Sequence, residues 1–288
     1  MASENDIKFH YDGELELFKF MLDSDLVYSC GNWSDAEDLE QAQLHKFRQH
    51  TKLARFDSSS RSVLDVGCGF GAFLKHVAAH YPNIENAVGL TVSTDQFEYC
   101  NAGICNEVVE VVPLDVFEYF KKSEQKFDHA VSIGAFEHFA SARLVRSGAH
   151  MALYQRFFKQ LSRRVTIGAS LQTIINNKTI TELGVADRSG AIAALKFILR
   201  EIFPNSYLPT LAEIIAAASP YFRIDKVHTS FLDYQTTLAH WQQRLQAHAD
   251  KVCPEQFARF DRYLTVCREQ FAKEAIGLVQ IGLTPIVH

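Results

Sequence analysis

The chain has 288 residues, with 29 Lys+Arg against 34 Asp+Glu and 47% hydrophobic residues. Ordinary apolar content and modest charge exclude wholesale disorder, and a net charge of -5 gives no global reason to expect a nucleic-acid partner. Twenty-two Phe against two Trp is the one compositional oddity.

The length suits one large α/β domain or two small ones and is ample for a real core. Six cysteines (Cys30, Cys68, Cys100, Cys105, Cys253, Cys267) form no CxxC pair and no metal-type spacing, so reduced thiols in a cytoplasm are expected. The polar, acidic start MASENDIKFHYDGE has no signal pattern, and no window reaches the apolar length of a membrane span. A soluble, cytoplasmic protein is expected, with any membrane contact peripheral.

In chain order, residues 36–55 read as a helix, with Leu39, Ala42, Lys46 and Leu53 at helical spacing. Asp57-Ser58-Ser59-Ser60 then punctuates, and Ser62–Val66 begins a buried strand. GCGFGAFLKHVAAHY turns tightly into a helix, and NAVGLTVS supplies a second strand. VVEVV (108–112) is a third strand and FDHAVSIGA (127–135) a fourth. Short apolar strands alternating with helices predict a doubly wound, mostly parallel α/β sheet. Beyond residue 140, Leu144, Met151, Tyr154, Phe158 and Leu161 mark an amphipathic helix, followed by the strand RVTIGASLQTI. Residues 178–222 look largely helical, with AIAALKFILREIFP stopped by Pro204. The tail GLVQIGLTPIV reads as a strand that finishes the sheet as an antiparallel edge.

LDVGCGFG places Gly67, Gly69 and Gly71 between a strand and a helix, where glycines let the backbone approach a ligand and expose amide donors. The spacing G-x-G-x-G is tighter than the dinucleotide pattern, and the second strand ends Gly89-Leu90-Thr91-Val92-Ser93 without the carboxylate that a dinucleotide ribose wants. Asp65 precedes the turn, and Asp115 follows the third strand where it could accept from an adenine amino group. A glycine turn without any nucleotide stays open at this point. The pattern itself resembles the class I S-adenosylmethionine methyltransferases, with their Rossmann-like sheet.

Further segments sharpen the resemblance. HYDGELELFKFMLDSDLVYSCGNW, GLTVSTDQ, SIGAFEHF, ALKFILREIFPNSYLP and RYLTVCREQFAKEAIGLVQIGL resemble, in order, signatures of the cyclopropane fatty acid and mycolic acid cyclopropane synthases. The likeness runs from about His10 to the C-terminus and matches the short form of the family. It implies a single domain over 1–288: a helical N-terminal extension (1–60), a cofactor-binding core (61–140), a substrate-side helical cap and strand (141–235), and C-terminal helices with the edge strand (236–288).

The resemblance implies S-adenosyl-L-methionine held by Tyr28, Ser29, Asp65, Gly67, Gly69, Thr91, Val92, Gln96, Asp115, Val116 and Ile133. It also implies a bicarbonate pocket made by Cys30 (through its backbone amide), Glu137, Gln172, Ile174 and Tyr234. Two departures stand out: Gln172 in LQTI occupies the place of the family's His, and Asp233 replaces the His that usually precedes Tyr234. Gln172 can donate through its amide, but it cannot be cationic or titrate near neutrality. An acyl tunnel is expected near the Phe cluster, with Phe136, Phe139, Phe197 and Phe203 as substrate contacts and Phe157 and Phe158 nearby. Aromatic faces suit a transient cation, because they stabilise it without offering a nucleophile. Residues 138–181 contain no acidic side chain but include Arg143, Arg146, Arg156, Lys159, Arg163, Arg164 and Lys178. Such a segment suits an acyl carrier protein or an anionic lipid surface, or is a solvated face.

The expected activity is methylation of an unsaturated acyl chain with closure to a cyclopropane. A methyltransferase acting on an isoprenoid or polyketide alkene is the enzymatic alternative. A non-catalytic cofactor- or lipid-binding protein is the alternative of another class.

Overall fold

The computed structural model describes residues 11–178, 182 and 184–286. Residues 1–10 of the expected extension, His10 among them, lie outside the described residues, as do the last two residues of the tail. Two helices come first, α1 (Leu15–Met21) and α2 (Leu39–Leu53). Asp38 starts α2 by accepting a hydrogen bond from the Gln41 amide, the usual service of an N-cap carboxylate.

The sheet follows as β1 (Ser62–Val66), β2 (Asn86–Leu90), β3 (Val109–Val112), β4 (Phe127–Ile133), β5 (Val165–Asn176), β6 (Phe222–Ser230) and β7 (Ile276–Pro285). Their order across the sheet is β3-β2-β1-β4-β5-β7-β6. β1 sits centrally, with Val63 beside Ala87 of β2 and His129 of β4. The first five strands are parallel, and β7 runs against both of its neighbours. The antiparallel C-terminal edge is thus a pair of strands, with β7 one place in and β6 outermost. β6 is mostly exposed and carries Arg223, Asp225, Lys226 and His228, so it lacks the apolar run that announces a buried strand.

Helices α3 (Ala72–His80), α4 (Thr94–Gly103) and α5 (Val116–Lys122) are the crossovers between β1 and β4. The amphipathic stretch after residue 140 divides into α6 (Ala142–Arg146) and α7 (His150–Ser162), separated at Gly148, whose φ of 71° breaks the helix. α5, α7 and α9 (Leu211–Ala218) cover one face of the sheet around a core of Phe117, Phe120, Phe136, Phe157, Phe158 and Phe222. α2, α3 and α4 cover the other face. α8 (Val185–Phe197) continues through a π turn (Ile198–Ile202), and with α10 (Leu232–Ala247), α11 (Pro254–Ala272) and α1 it builds a cap at the C-terminal end of the strands. Among the described residues, no helix is long and apolar enough to cross a membrane.

The basic segment does not form one face. Arg164 is buried and donates to the carbonyls of Phe120 and Ser123 at the end of α5, and Arg156 lies over the Phe117 ring.

The end of α2 presses onto the sheet. A Cβ added to Gly168 of β5 would lie 2.6 Å from the Ala54 carbonyl oxygen, and one added to Gly282 of β7 would lie 3.0 Å from that of Leu53. His129 Nδ1 donates to the same Ala54 oxygen at 2.8 Å, and Phe56 stacks on its ring at 3.9 Å. Since backbone cannot yield cheaply, Gly168→Ala is expected to cost about 2 kcal/mol in urea unfolding. Gly190→Ala, on an open helix position with nothing within 4 Å of the new methyl, is expected to be neutral or to stabilise by about 0.5 kcal/mol.

Candidate active site

The turn after β1 is shaped by glycine. Gly67 and Gly69 have φ of 81° and 56°, a region that favours glycine, and a Cβ at Gly67 would lie 2.4 Å from that of Ala135 in the loop after β4. Beside this turn lies a cavity of about 370 Å³, bounded by the ends of β1, β2 and β4. Tyr28, Ser29, Asp65, Gly67, Gly69, Thr91, Val92, Gln96, Asp115, Val116 and Ile133 all line it. A parallel sheet collects its ligand at the C-terminal ends of the strands in this way.

The polar side chains of this lining are held in place. Thr91 donates to the Gln96 side chain at 2.7 Å, and Ser93 caps α4 by accepting from the Gln96 amide. Asp115 caps α5 by accepting from the Phe117 amide at 2.9 Å. Asp65 is buried with its Oδ1 lacking any partner among the described residues, and burial pushes its carboxyl up to about 7 against the lowering charge of Lys46. Asp12 and Gly13 tie the start of the described chain to the N-terminus of α4, through Ser93 at 2.5 Å and Asp95 at 2.7 Å. That contact brings Tyr11 over the cavity.

A second cavity, of about 360 Å³, opens beyond a shared wall of Tyr11, Tyr28, Gly134 and His138. It is largely apolar, bounded by α8, the π turn, α10 and α11, and it includes Leu238, Val266, Cys267 and Phe271. Glu137, on a 3-10 turn after β4, lies on its wall. The Ile174 amide donates to Glu137 Oε1 at 2.6 Å, while Oε2 is buried with no partner among the described residues. Burial raises this carboxyl to about 7, and the Ile174 hydrogen bond opposes that shift.

Of the five positions assigned to bicarbonate, Glu137, Ile174 and Tyr234 line the apolar cavity, while Cys30 and Gln172 line neither cavity. Cys30 packs against Thr237 of α10, and burial pushes its thiol up. The Gln172 side-chain oxygen accepts from His50 at 3.1 Å and from Gln280 at 2.7 Å, on the side of β5 that α2 covers. Burial holds His50 neutral, with its imidazolium pKa down at about 3. The Ile174 amide is already committed to Glu137. Among the described residues, Lys178 is the only cationic side chain on this lining, and it bonds the Lys273 carbonyl and Glu274.

Asp233 accepts from the Trp33 amide at 3.1 Å and so fastens the N-terminal loop to α10. The four expected phenylalanine contacts are dispersed. Phe203 lines the apolar cavity and Phe139 the glycine-turn cavity. Phe136 is packed among Phe139, Tyr154, Phe157 and Phe158 in the sheet core. Phe197 lies in the cap core beneath the Arg262 guanidinium. Neither of these two lines a cavity, because the 3-10 turn aims Phe136 at α7 and the chain exposes Ala194 and Ile198 to the cavity instead.

Sequence reasoning passed over Tyr11, His138 and Tyr263. His138 is half-buried, held neutral with its pKa lowered to about 4 by desolvation, and contacts the Tyr11 hydroxyl at 3.3 Å and that of Ser206 at 3.4 Å. Its position next to Glu137 was the available signal.

The sequence model of the mycolic acid cyclopropane synthetase family matches residues 1–281. Cyclopropane mycolic acid synthase 2 of Mycobacterium tuberculosis is 28% identical over 288 residues, covering 96% of this chain and 93% of that protein. The cyclopropane-fatty-acyl-phospholipid synthase of Escherichia coli is 30% identical over 279 residues, covering 95% of this chain and 66% of that protein. Among solved structures, mycolic acid cyclopropane synthase CmaA1 complexed with SAH and CTAB superposes with a TM-score of 0.83 at 28% identity, over 98% of both chains. The glycine-turn cavity, its unpaired Asp65 oxygen and the match over nearly the whole chain lead to one assignment: the chain belongs to the mycolic acid cyclopropane synthetase family of S-adenosylmethionine-dependent methyltransferases.

Proposed function

We propose that the protein methylates the double bond of an unsaturated acyl chain held in the apolar cavity, and that Glu137 removes the proton that closes a cyclopropane. The observation carrying this reading is the unpaired Glu137 Oε2 on the wall of an apolar cavity that adjoins the glycine-turn cavity. When bound, S-adenosylmethionine supplies an electrophilic methyl on a sulfonium. Asp65, Asp115, Thr91 and Gln96 would hold its polar parts, and Tyr28, Gly134 and His138, common to both cavities, would stand where the cofactor and the acyl chain meet.

Attack of the alkene π electrons on that methyl, with the carbon–sulfur electron pair left on sulfur, would leave the neighbouring alkene carbon cationic. Glu137 Oε2 then takes a proton from the added methyl, and the freed C–H pair closes the ring. Tyr234, stacked on Phe271 at 4.5 Å, and Tyr263 present aromatic faces to the cation. The apolar lining keeps water from trapping it as an alcohol. No step is assigned to bicarbonate, since Gln172 is turned away and the Ile174 amide is taken.

The cavity wall at α8 carries exposed Ile192 and Leu195, with Lys196 and Arg200 exposed nearby. This supports delivery of the acyl chain from an acidic carrier protein or an anionic lipid surface.

Glu137→Gln is expected to lower kcat about 10²- to 10⁴-fold while the dissociation constant for S-adenosylhomocysteine, read by calorimetry, stays within about twofold. Only the carboxylate form accepts a proton, so kcat falls as pH drops through about 7, and this acid limb disappears in the variant. Equal losses of binding and turnover would overturn the role of Glu137.

With a trideuterated methyl on the cofactor, ring closure leaves two deuteriums in the product. A product retaining three would instead establish proton loss from a flanking carbon and a methylated alkene. Turnover in carbonate-depleted buffer is expected to equal that in bicarbonate buffer, and a large drop would return the base to a bound anion.

A further inference from the structure

The inner face of α2 carries Gln43, Lys46 and His50 at helical spacing, all buried although their side chains are polar. Lys46 is 0% exposed, and burying an ammonium is costly unless it serves partners. Its Nζ donates to the Ser29 hydroxyl at 2.7 Å and to the Gln43 side-chain oxygen at 2.7 Å, while Gln43 in turn donates to the Ser29 carbonyl at 3.0 Å. Ser29 is therefore gripped from both its hydroxyl and its backbone by one helix face. It lines the glycine-turn cavity, whereas Lys46 does not.

The charged neighbours of Lys46 come from three elements. Asp23 follows α1 and closes its turn by accepting from the Val27 amide at 2.7 Å. Asp65 ends β1, and Cys30 lies in the loop before α2. On α2 itself His50 is neutral. Burial lowers Lys46 to about 7, with Asp23, Cys30 and Asp65 raising it. Ser29 takes a hydrogen bond from the ammonium, Asp65 feels its charge, and both line the glycine-turn cavity. One offers a hydroxyl whose oxygen already accepts from a cation, leaving its own proton to donate. The other offers a carboxylate oxygen with no partner.

We propose that Lys46, acting through the Ser29 hydroxyl, is the cationic half of a recognition site for the zwitterionic amino-acid head of the cofactor, with Asp65 the anionic half. The head's carboxylate accepts from Ser29 and feels the Lys46 charge, and its ammonium meets Asp65 Oδ1. Lys46 is a positioning residue, since it reaches the ligand only through Ser29. The inference rests on family membership and the cavity geometry, not on the identity of the acyl substrate or of the base.

Calorimetry with two probes tests it: S-adenosylhomocysteine, which has the amino-acid head, and 5′-methylthioadenosine, which keeps the nucleoside and thioether without it. Lys46→Met is expected to weaken the first about 10- to 100-fold at pH 7, the loss of a charge-assisted contact, and to leave the second within about twofold. Ser29→Ala keeps the helix face intact and is expected to show the same selectivity with a smaller loss. The ratio of parent to Lys46→Met affinity for S-adenosylhomocysteine should fall toward one as pH rises above about 7, because the ammonium is lost from the parent while ligand titration cancels. Equal weakening of both probes in folded Ser29→Ala, unchanged S-adenosylhomocysteine binding in either variant, or a pH-independent ratio would each overturn the proposal.

Discussion

The loops that follow β1 and β4 touch at Gly67 and Ala135, and the rest of the site depends on that approach. Any Cβ at Gly67 would fall 2.4 Å from the Ala135 methyl, and the backbone there sits at positive φ. Because the loops meet, Gly134 and His138 become a wall common to both cavities, and Glu137 is presented to the apolar side of it. A wider turn would move the two cavities apart, and in the proposed reaction the reacting groups that they hold tolerate such separation poorly.

Around this contact the protein buries three ionisable groups with little direct pairing: Asp65, Lys46 and Glu137. Desolvation moves each toward neutrality from its own side, the two carboxyls up and the amine down. Such groups lower the stability of the empty fold, so their retention makes sense where a ligand or a transition state completes them. Glu137 differs from the other pair in facing an apolar lining. In the proposed reaction its partner is a carbon-bound proton made acidic by a neighbouring cation, not a resident charge. Tyr11, whose hydroxyl burial and the Glu137 charge both keep protonated, closes the junction from the N-terminal side.

Much of this was legible in the residues. The strands β1, β2 and β4 are short runs buried on both faces, and the glycine turn between β1 and its helix has a spacing that suits a close backbone approach. The residues expected on the cofactor line one cavity because they sit at strand ends, whose position follows from topology alone. Side chains whose direction depends on tertiary cover were not legible. Gln172 and Ile174 share a face of β5 by period-two alternation, yet α2 covers the first and the apolar cavity meets the second. Phe136 and Phe139 both flank Glu137, and only the pitch of a 3-10 turn sends Phe136 into the core. β6 escaped because an exposed edge strand has no apolar signature. Lys46 fits an amphipathic pattern as though it were apolar, and its burial shows only once Ser29 and Gln43 are placed around it.

The division of labour between sheet and cap follows from where each cavity takes its walls. The polar cavity is built from strand ends and the turns after them, which parallel pairing holds rigidly. The apolar cavity takes most of its lining from the segment between β5 and β6, from α10 and from α11, none of which the sheet's hydrogen bonding constrains. His138 joins the two regions, contacting Tyr11 of the N-terminal segment and Ser206 beyond the π turn. Replacing cap residues such as Leu195, Ile198 or Phe203 therefore reshapes the space for the alkene without touching the seat of the methyl donor. Replacing turn residues alters both at once, through the one wall they share.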